Sequence, residues 1–300
     1  MYSTIHYTNC PVCGSNQIQQ NFTVKDYTVS QQNFQVWHCN ACAARFTQDA
    51  PNAENIGAYY QSENYISHSD TQKGFINKLY HFIRNYTLQS KKNLVNQTTH
   101  LTKGSLLDVG AGTGSFASTM QQAGWNVMGL EPDESARNNA LQKHSLQLQP
   151  PEDLYNFSAQ QFNAITMWHV LEHVHDLHKY FETFYYILKD DGKLIIAVPN
   201  YTSYDAGYYK QFWAAYDVPR HLYHFSPASM QTLAKLKGFT VKRFKPMWFD
   251  SVYVSMLSEQ YKTGKQNFLK ALFIGLASNI KTLINNKNCS SVIYVLEKNI

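Results

Sequence analysis

Two sets of side chains in this chain have types and spacings suited to chemistry, and both sit on tight turns. The first lies in Ser105–Glu131, SLLDVGAGTGSFASTMQQAGWNVMGLE. Asp108 sits near the end of a short apolar run that leads into Gly110, Ala111, Gly112, Thr113 and Gly114, the pattern of a buried strand feeding a glycine turn. A dinucleotide fingerprint would need a third glycine at position 115, where Ser115 stands. A carboxylate beside the turn would repel a phosphate and attract an ammonium. Glu131, closing the next expected strand, is placed to accept from ribose hydroxyls. The second set is Cys10, Cys13, Cys39 and Cys42, two C-x-x-C turns that match a four-thiolate zinc site. Four thiolates complete a tetrahedral ion, so that zinc would be structural, and Phe34–His38 alternates like a ribbon strand leading to the second turn. No export signal precedes the cysteines, which favours zinc over disulfides.

S-adenosylmethionine (SAM) fits the first set, because it carries no phosphate, a cationic amino-acid end and a ribose with two hydroxyls. With Asp108 and Glu131 flanking the turn, the sequence resembles the class I SAM-dependent methyltransferases. The resemblance covers roughly residues 75–300. It implies a Rossmann-like α/β fold, a seven-stranded sheet with helices on both faces, here preceded by a small zinc ribbon. It also implies that Asp108, Gly110, Ala111, Gly112, Gly114, Glu131, Pro132, Trp168 and His169 contact the cofactor. The loop after the third strand reaches the adenine in such enzymes, which brings in Glu152, Asp153 and Leu154.

A third stretch, Trp168–His173 (WHVLEH), contains H-x-x-E-H, a zinc-peptidase signature when it lies on a long helix. Here it follows an expected strand, Phe162–Met167, at the lip of the sheet where the cofactor's methyl would emerge. A strand followed by V-L-E-H resembles the O-methyltransferases of the ubiquinone-pathway type. That resemblance implies a divalent ion on Glu172 and His173 beside an acceptor hydroxyl, with His169 standing where the family has an acid. His169 is alternatively a general base, since imidazole titrates near neutrality, and His173 is either catalytic or packed under the turn. His175 and His178 are expected to face solvent. Tyr201–Pro227 is a long aromatic segment at the same edge, where specificity is usually built. Asp217, Arg220, His221 and His224 are its titratable groups. Arg220 and His221 are candidates to hold the acceptor, His221 also to act as base, unless Asp217 and Arg220 only staple the loop.

The positioning elements follow from period and punctuation. Residues 1–50 are expected to form the ribbon, 51–100 a linker and lid helix, and 101–300 the methyltransferase domain with a helical insertion at 250–288. Helical spacing runs over Phe75–Val95, and the polar, aromatic Tyr59–His68 before it either walls the pocket or packs the helix. Further strands are expected at Leu146–Gln149, Lys193–Val198, Phe239–Phe244 and Ser291–Glu297, with a turn at Asp191–Gly192. In the insertion, Phe268, Leu269, Leu272, Phe273, Leu276, Ile280 and Leu283 form an apolar stripe edged by lysines. Packing over the core is the default for such a helix; a dimer face or a membrane surface are the alternatives.

Composition narrows the class. A 44% hydrophobic, 14% aromatic chain is globular, and a net charge of +5 without basic runs gives no polyanion-binding tail. Residues 1–50 carry only Lys25 and Arg45 as cations. That disfavours an rRNA base methyltransferase, the nearest rival, and nucleic acid as a partner. The N–P–P–aromatic run of amino-group methylation is also absent. No apolar stretch is long enough to span a bilayer, and no secretion signal is seen, so a cytoplasmic protein is expected. The expected function is methyl transfer from SAM to a small hydroxylated or sugar-like acceptor, on oxygen or carbon, with a homodimer as one assembly. A SAM-binding zinc-ribbon interaction protein without turnover is a rival of another class, and a metallohydrolase using His169, Glu172 and His173 a third.

Overall fold

The computed structural model describes residues 3–61 and 75–299. The expected lid residues from Ser62 to His68, and the side chains of Phe75, Leu79 and Phe82, lie outside that description. The chain begins with β1 (Thr4–Ile5), β2 (Ile18–Lys25), β3 (Asn33–Cys39), β4 (Arg45–Gln48) and β5 (Ala50–Pro51). A long helix, α1 (Phe75–Thr99), then leads into β6 (Ser105–Val109), α2 (Ser115–Gln122), β7 (Asn126–Leu130), α3 (Glu134–His144), β8 (Phe162–Trp168), α4 (Leu177–Ile187) and β9 (Leu188–Pro199). After the short α5 (Tyr204–Tyr209) come β10 (Tyr223–His224), α6 (Pro227–Leu236), β11 (Phe239–Pro246), α7 (Asp250–Thr263), α8 (Phe268–Ile284) and β12 (Ser291–Lys298).

The central sheet has the order β11-β12-β9-β8-β6-β7, parallel from β9 to β7 and antiparallel through β12. Near-continuous burial of Leu106, Leu107 and Val109, and of Leu194–Val198, is what a parallel sheet covered on both faces demands. Six strands form where seven were expected. Leu146–Gln149 runs beside β7 but joins it through one bridge, Leu130 to Gln149, so the seventh position is an edge contact. The turn expected at Asp191–Gly192 is a bulge within β9, where register jumps from Phe162–Leu188 to Ala164–Lys193. Helix ends follow local chemistry: Asp133 caps α3 by accepting from the amide of Ala136, and Ser226 with Ser229 forms a capping box on α6.

The ribbon is not a separate bead. Its sheet has the order β10-β4-β3-β2, so its outermost strand, Tyr223–His224, comes from the aromatic segment far downstream of its partner Arg45–Phe46. Cys10, Val12, Cys39, Cys42 and Phe46 belong to the same buried cluster as Leu107, Ile165 and Leu194 of the central sheet. Tyr209, Trp213 and Tyr216 bury against Val24 and Val36 of the ribbon. The aromatic segment therefore fastens the ribbon to the sheet, and its rings are spent on that packing instead of on an acceptor. His175 and His178, expected in solvent, dock on the same module, with Nε2 3.2 Å from the Pro51 carbonyl and 3.0 Å from that of Pro11.

Candidate active site

At the end of β6 the three glycines of the turn all take left-handed φ, +71°, +55° and +76° at Gly110, Gly112 and Gly114. A side chain on Gly110 would come within 2.3 Å of Val170, while one on Gly112 would meet open space. The turn is thus packed against the WHVLEH loop on one side and open on the other. Asp108 is in register with Thr166 of β8 and Gly129 of β7, and the Thr166 hydroxyl donates to its carboxylate at 2.7 Å. Burial pushes Asp108 up to about 7, against the Thr166 hydrogen bond and the charge of Lys91, with Glu131 adding to the rise. Glu131 accepts from the amides of Gly112 at 2.8 Å and Asp133 at 3.0 Å, so its carboxylate lies against the turn. The two acids flank one glycine turn, as their spacing implied.

Lys91, on α1, was not foreseen. Its ammonium lies 4.3 Å from the centre of the Trp168 ring, and its burial lowers its pKa while Asp108 and Asp250 oppose that fall. Trp168 packs edge-on against Phe116, and its indole N–H is buried without a partner among the described residues. Arg84, also on α1, donates to Ser115 at 2.6 Å, so the helix before the sheet spans the cofactor edge. The other expected cofactor contacts are less direct. Pro132 offers its carbonyl to Arg137, Glu152 is exposed, and Asp153 accepts from Asn156. Leu154 is buried in the core and so is not an adenine contact.

The edge around His169, Glu172, His173 and His221, where the sequence places the acceptor, is built from parts distant in sequence. His169, at φ +59°, sits with Nε2 3.0 Å from Asp250 and Nδ1 3.4 Å from Glu172. Burial favours a neutral ring, but the hydrogen bonds and charges of Asp250 and Glu172 outweigh it and lift His169 to about 10. Carboxylates at both ring nitrogens favour the protonated ring, which weighs against the general-base role. His173 is the opposite case. Burial and the neighbouring His221 drive it down to about 4, so it is neutral. Its Nδ1 lies 3.1 Å from the Arg220 carbonyl and 2.9 Å from the Tyr60 hydroxyl, and its ring meets that of His221 edge-on at 4.6 Å.

Glu172 is 1% exposed; Nδ1 of His169 lies 3.4 Å from its Oε1 as an ion pair, and neither carboxylate oxygen accepts a well-formed hydrogen bond among the described residues. Burial raises its pKa, yet His169, His221 and His173 hold it low, so an ionised carboxylate lies among three imidazoles. Ligand atoms of Glu172, His173 and His221 fall within 4.8 Å of one another. A buried carboxylate with one ion-pair partner and too few hydrogen bonds, beside two further imidazoles, is a donor set that a divalent cation satisfies.

Arg220 does not face an acceptor. It is 1% exposed, and each of its three nitrogens is engaged: Nε and one terminal nitrogen with Asp217 at 3.0 and 2.6 Å, the same terminal nitrogen with Asp26 at 3.1 Å and with Thr28, and the other with the Tyr59 carbonyl at 2.9 Å. Asp217, whose pKa burial would raise and Arg220 lowers, belongs to the same clasp. Both candidates are therefore positioning groups that lock the aromatic segment onto the ribbon. His224 is buried beside Thr47, with its ring held neutral by that burial. Thr47 in turn donates to the His221 carbonyl at 2.7 Å, and the Leu222 amide donates to the Glu172 carbonyl at 2.8 Å. Hydrogen bonds thus run unbroken from ribbon strand β4 to Glu172.

In the ribbon, Cys10 and Cys42 sulfurs lie 3.7 Å apart, those of Cys13 and Cys39 3.6 Å, and all four lie within 4.8 Å of one another. A tetrahedral zinc ion with bonds of about 2.3 Å separates its sulfurs by about 3.8 Å. The cluster is compatible with that ion, and the spacing is far too long for disulfides.

A family model described as a methyltransferase domain matches residues 80–243. The chain belongs to that family. It is 26% identical over 187 residues to the mitochondrial ubiquinone biosynthesis O-methyltransferase of Rattus norvegicus, covering 56% of this chain and 53% of the relative. Over 135 residues it is 27% identical to an uncharacterized methyltransferase of Bacillus pumilus, covering 44% and 61%. The chain spans about half the length of the first of these relatives. Among solved structures, magnesium protoporphyrin IX methyltransferase of Synechocystis superposes with a TM-score of 0.54 at 15% identity, covering 82% of this chain and all of that one. That likeness shows the fold, and with the family match it makes this a class I SAM-dependent methyltransferase core. Among the described residues, no helix is long and apolar enough to cross a membrane.

Proposed function

We propose that the protein transfers the methyl group of SAM to a hydroxyl oxygen of a small acceptor, held at the edge formed by Glu172, His173 and His221. The observation that carries this reading is the buried Glu172 carboxylate, ion-paired with His169 but short of hydrogen bonds, facing His173 and His221 beside the glycine turn. Asp108 receives the ammonium of SAM and Glu131 its ribose hydroxyls; to do so, Glu131 exchanges its bond to the Gly112 amide for the sugar. Glu172, His173 and His221 would hold a divalent ion, which supplies a lowered pKa for a coordinated hydroxyl. Nε2 of His173 is left for that ion, because Nδ1 is taken by Arg220 and Tyr60. His169 keeps its proton between Asp250 and Glu172 and fixes the loop from which Glu172 projects. Alignment of acceptor oxygen and methyl supplies most of the rate.

Structural zinc on Cys10, Cys13, Cys39 and Cys42 completes the reading, with residues 1–50 acting as a brace for the acceptor edge. RNA as acceptor fits poorly, since Arg45 is stacked 4.0 Å over Tyr201 and donates to the Tyr216 hydroxyl at 2.6 Å, inside the packing. The test is incubation with methyl-labelled SAM and fractionated cell extract. Label is expected in small hydroxylated compounds, lost with Glu172→Gln and with a chelator at concentrations that leave the ribbon folded. Label in RNA, or SAM binding with no labelled product, overturns the proposal.

A further inference from the structure

Helix α8 is built inside out. The residues it turns inward are Ala271, Ile274, Gly275, Ser278 and Thr282, mostly small or polar. The residues it turns outward are Phe268, Leu269, Phe273, Leu276, Ile280, Leu283 and Ile284, from 48% exposed at Leu276 to 85% at Ile284. Its partner α7 also buries serines, Ser251, Ser255 and Ser258. The helices cross so closely that a side chain on Gly275 would come within 2.7 Å of the Val252 backbone. Small residues between helices and large apolar residues outside them is the arrangement used where the surroundings are hydrocarbon. The outward face continues at one end of the hairpin, where Asn279 donates to the carbonyl of the exposed Trp248 and Phe249 follows it.

We infer that the α7–α8 hairpin docks in the plane of an anionic bilayer surface, with the outward face of α8 in the acyl boundary. Charge selects this occupant. From Gln260 to Ser290 the chain has lysines at 262, 265, 270, 281 and 287 and no Asp or Glu. At the helical period, Lys270 and Lys281 stand on the border between the outward arc and the buried face. Lys262 and Lys265 precede the helix and Lys287 follows it. Lys270 is paired with Glu259 at 3.0 Å, while the ammonium of Lys281 lies over Tyr204, that of Lys262 over Tyr208 and that of Lys287 over Phe244, stems along rings and charges at the rim. A second copy related by a twofold axis would bring two such lysine rims together with Glu259, already paired with Lys270, as the acid between them, leaving the other lysines unopposed. Phospholipid headgroups oppose those lysines, and an amphipathic helix of 17 residues, about 25 Å long, suits an in-plane position.

The test is sedimentation of the full chain with vesicles of phosphatidylcholine alone or mixed with phosphatidylserine. The full chain is expected to pellet with the mixed vesicles and to be released by salt. The triple variant Leu269→Gln, Phe273→Gln, Ile280→Gln, exposed positions whose change leaves the fold intact, should bind at least about tenfold more weakly. Lys265→Glu with Lys281→Glu should remove the preference for phosphatidylserine. Failure to pellet with mixed vesicles, or equal binding by the triple variant, overturns the inference. So does a stable dimer by light scattering that the triple variant dissolves, which would assign the face to a second copy. None of these readouts depends on the acceptor.

Discussion

The cofactor edge and the acceptor edge of this sheet are made in different ways. The main acids of the cofactor edge come from one continuous stretch: Asp108, the glycine turn and Glu131 belong to a single strand–helix–strand unit whose turn is set by local backbone conformation, with Thr166 and Lys91 added from β8 and α1. The acceptor edge is a convergence. Glu172 comes from the loop after β8, His221 from the aromatic segment, Asp250 from the first residue of α7, and the ribbon braces the whole. The cofactor edge should therefore fail residue by residue, and the acceptor edge as a unit.

Removing the proposed zinc from the ribbon is the most severe way to break that contrast. Structural zinc in small modules contributes on the order of 10 kcal/mol to folding. A chelator strong enough to strip it, or Cys39→Ser, should melt β2–β4 and with them the Thr47 hydrogen bond that holds the His221 carbonyl. The expected outcome, read by thermal unfolding and methyl transfer together, is loss of acceptor turnover with SAM binding retained. If turnover survives while the ribbon is unfolded, the brace does not exist.

Arg220→Met is the next largest effect. It takes from Asp217 its guanidinium partner and leaves Asp26 only its bonds from Thr28, Val29 and Ser30, and removing one partner of a buried ion pair costs about 3–5 kcal/mol. Denaturant unfolding should show that loss, with the cofactor affinity of the folded fraction unchanged. A drop below 1 kcal/mol, taking about that as the value of an exposed pair, would mean that the clasp is solvated.

The smallest effect sharpens the comparison from the cofactor side. Asp108 has its pKa raised to about 7, whereas a carboxylate in an unfolded chain titrates near 4. A raised acid costs stability when it ionises, so its penalty grows as pH rises from about 4 through about 7. SAM needs the ionised form. Its affinity should rise with pH up to about 7 and fall again above about 8, as the cofactor's own amino group loses its proton. Calorimetric titrations should give that bell, and Asp108→Asn should flatten its acid limb while weakening binding roughly tenfold to a hundredfold, the value of a charge-assisted hydrogen bond. An unchanged acid limb in Asp108→Asn would exclude Asp108 as the ammonium's partner.

What could be read in the sequence follows the same division. The glycine turn and the cysteine pairs were legible because the interactions that define them fall within a few residues. Asp250 was not, since nothing around it points to His169, 81 positions away. Read alone, His169 looks like a base; only the meeting of two carboxylates from separate elements favours its protonated ring. Lys91 gave no signal either, being one of several lysines on a long helix. The aromatic segment was placed at the right edge, but composition does not say whether rings face a ligand or a neighbouring module. Helix α8 carries the sharpest lesson. Period reveals that one side is apolar, yet packing over the core, the default expectation, is overturned because small residues at 271, 275 and 278 allow a closer helix contact than the bulky stripe would.

Strand β10 has one more consequence, for anyone who wishes to cut or graft this protein. Because the outer strand of the ribbon sheet is supplied by residues 223–224, trimming the first fifty residues leaves an unpaired edge on the remaining half, and transplanting those fifty residues elsewhere leaves them short of a strand. The two halves are portable only together, with the segment from Tyr201 to Ser226 as the indivisible hinge of any chimera.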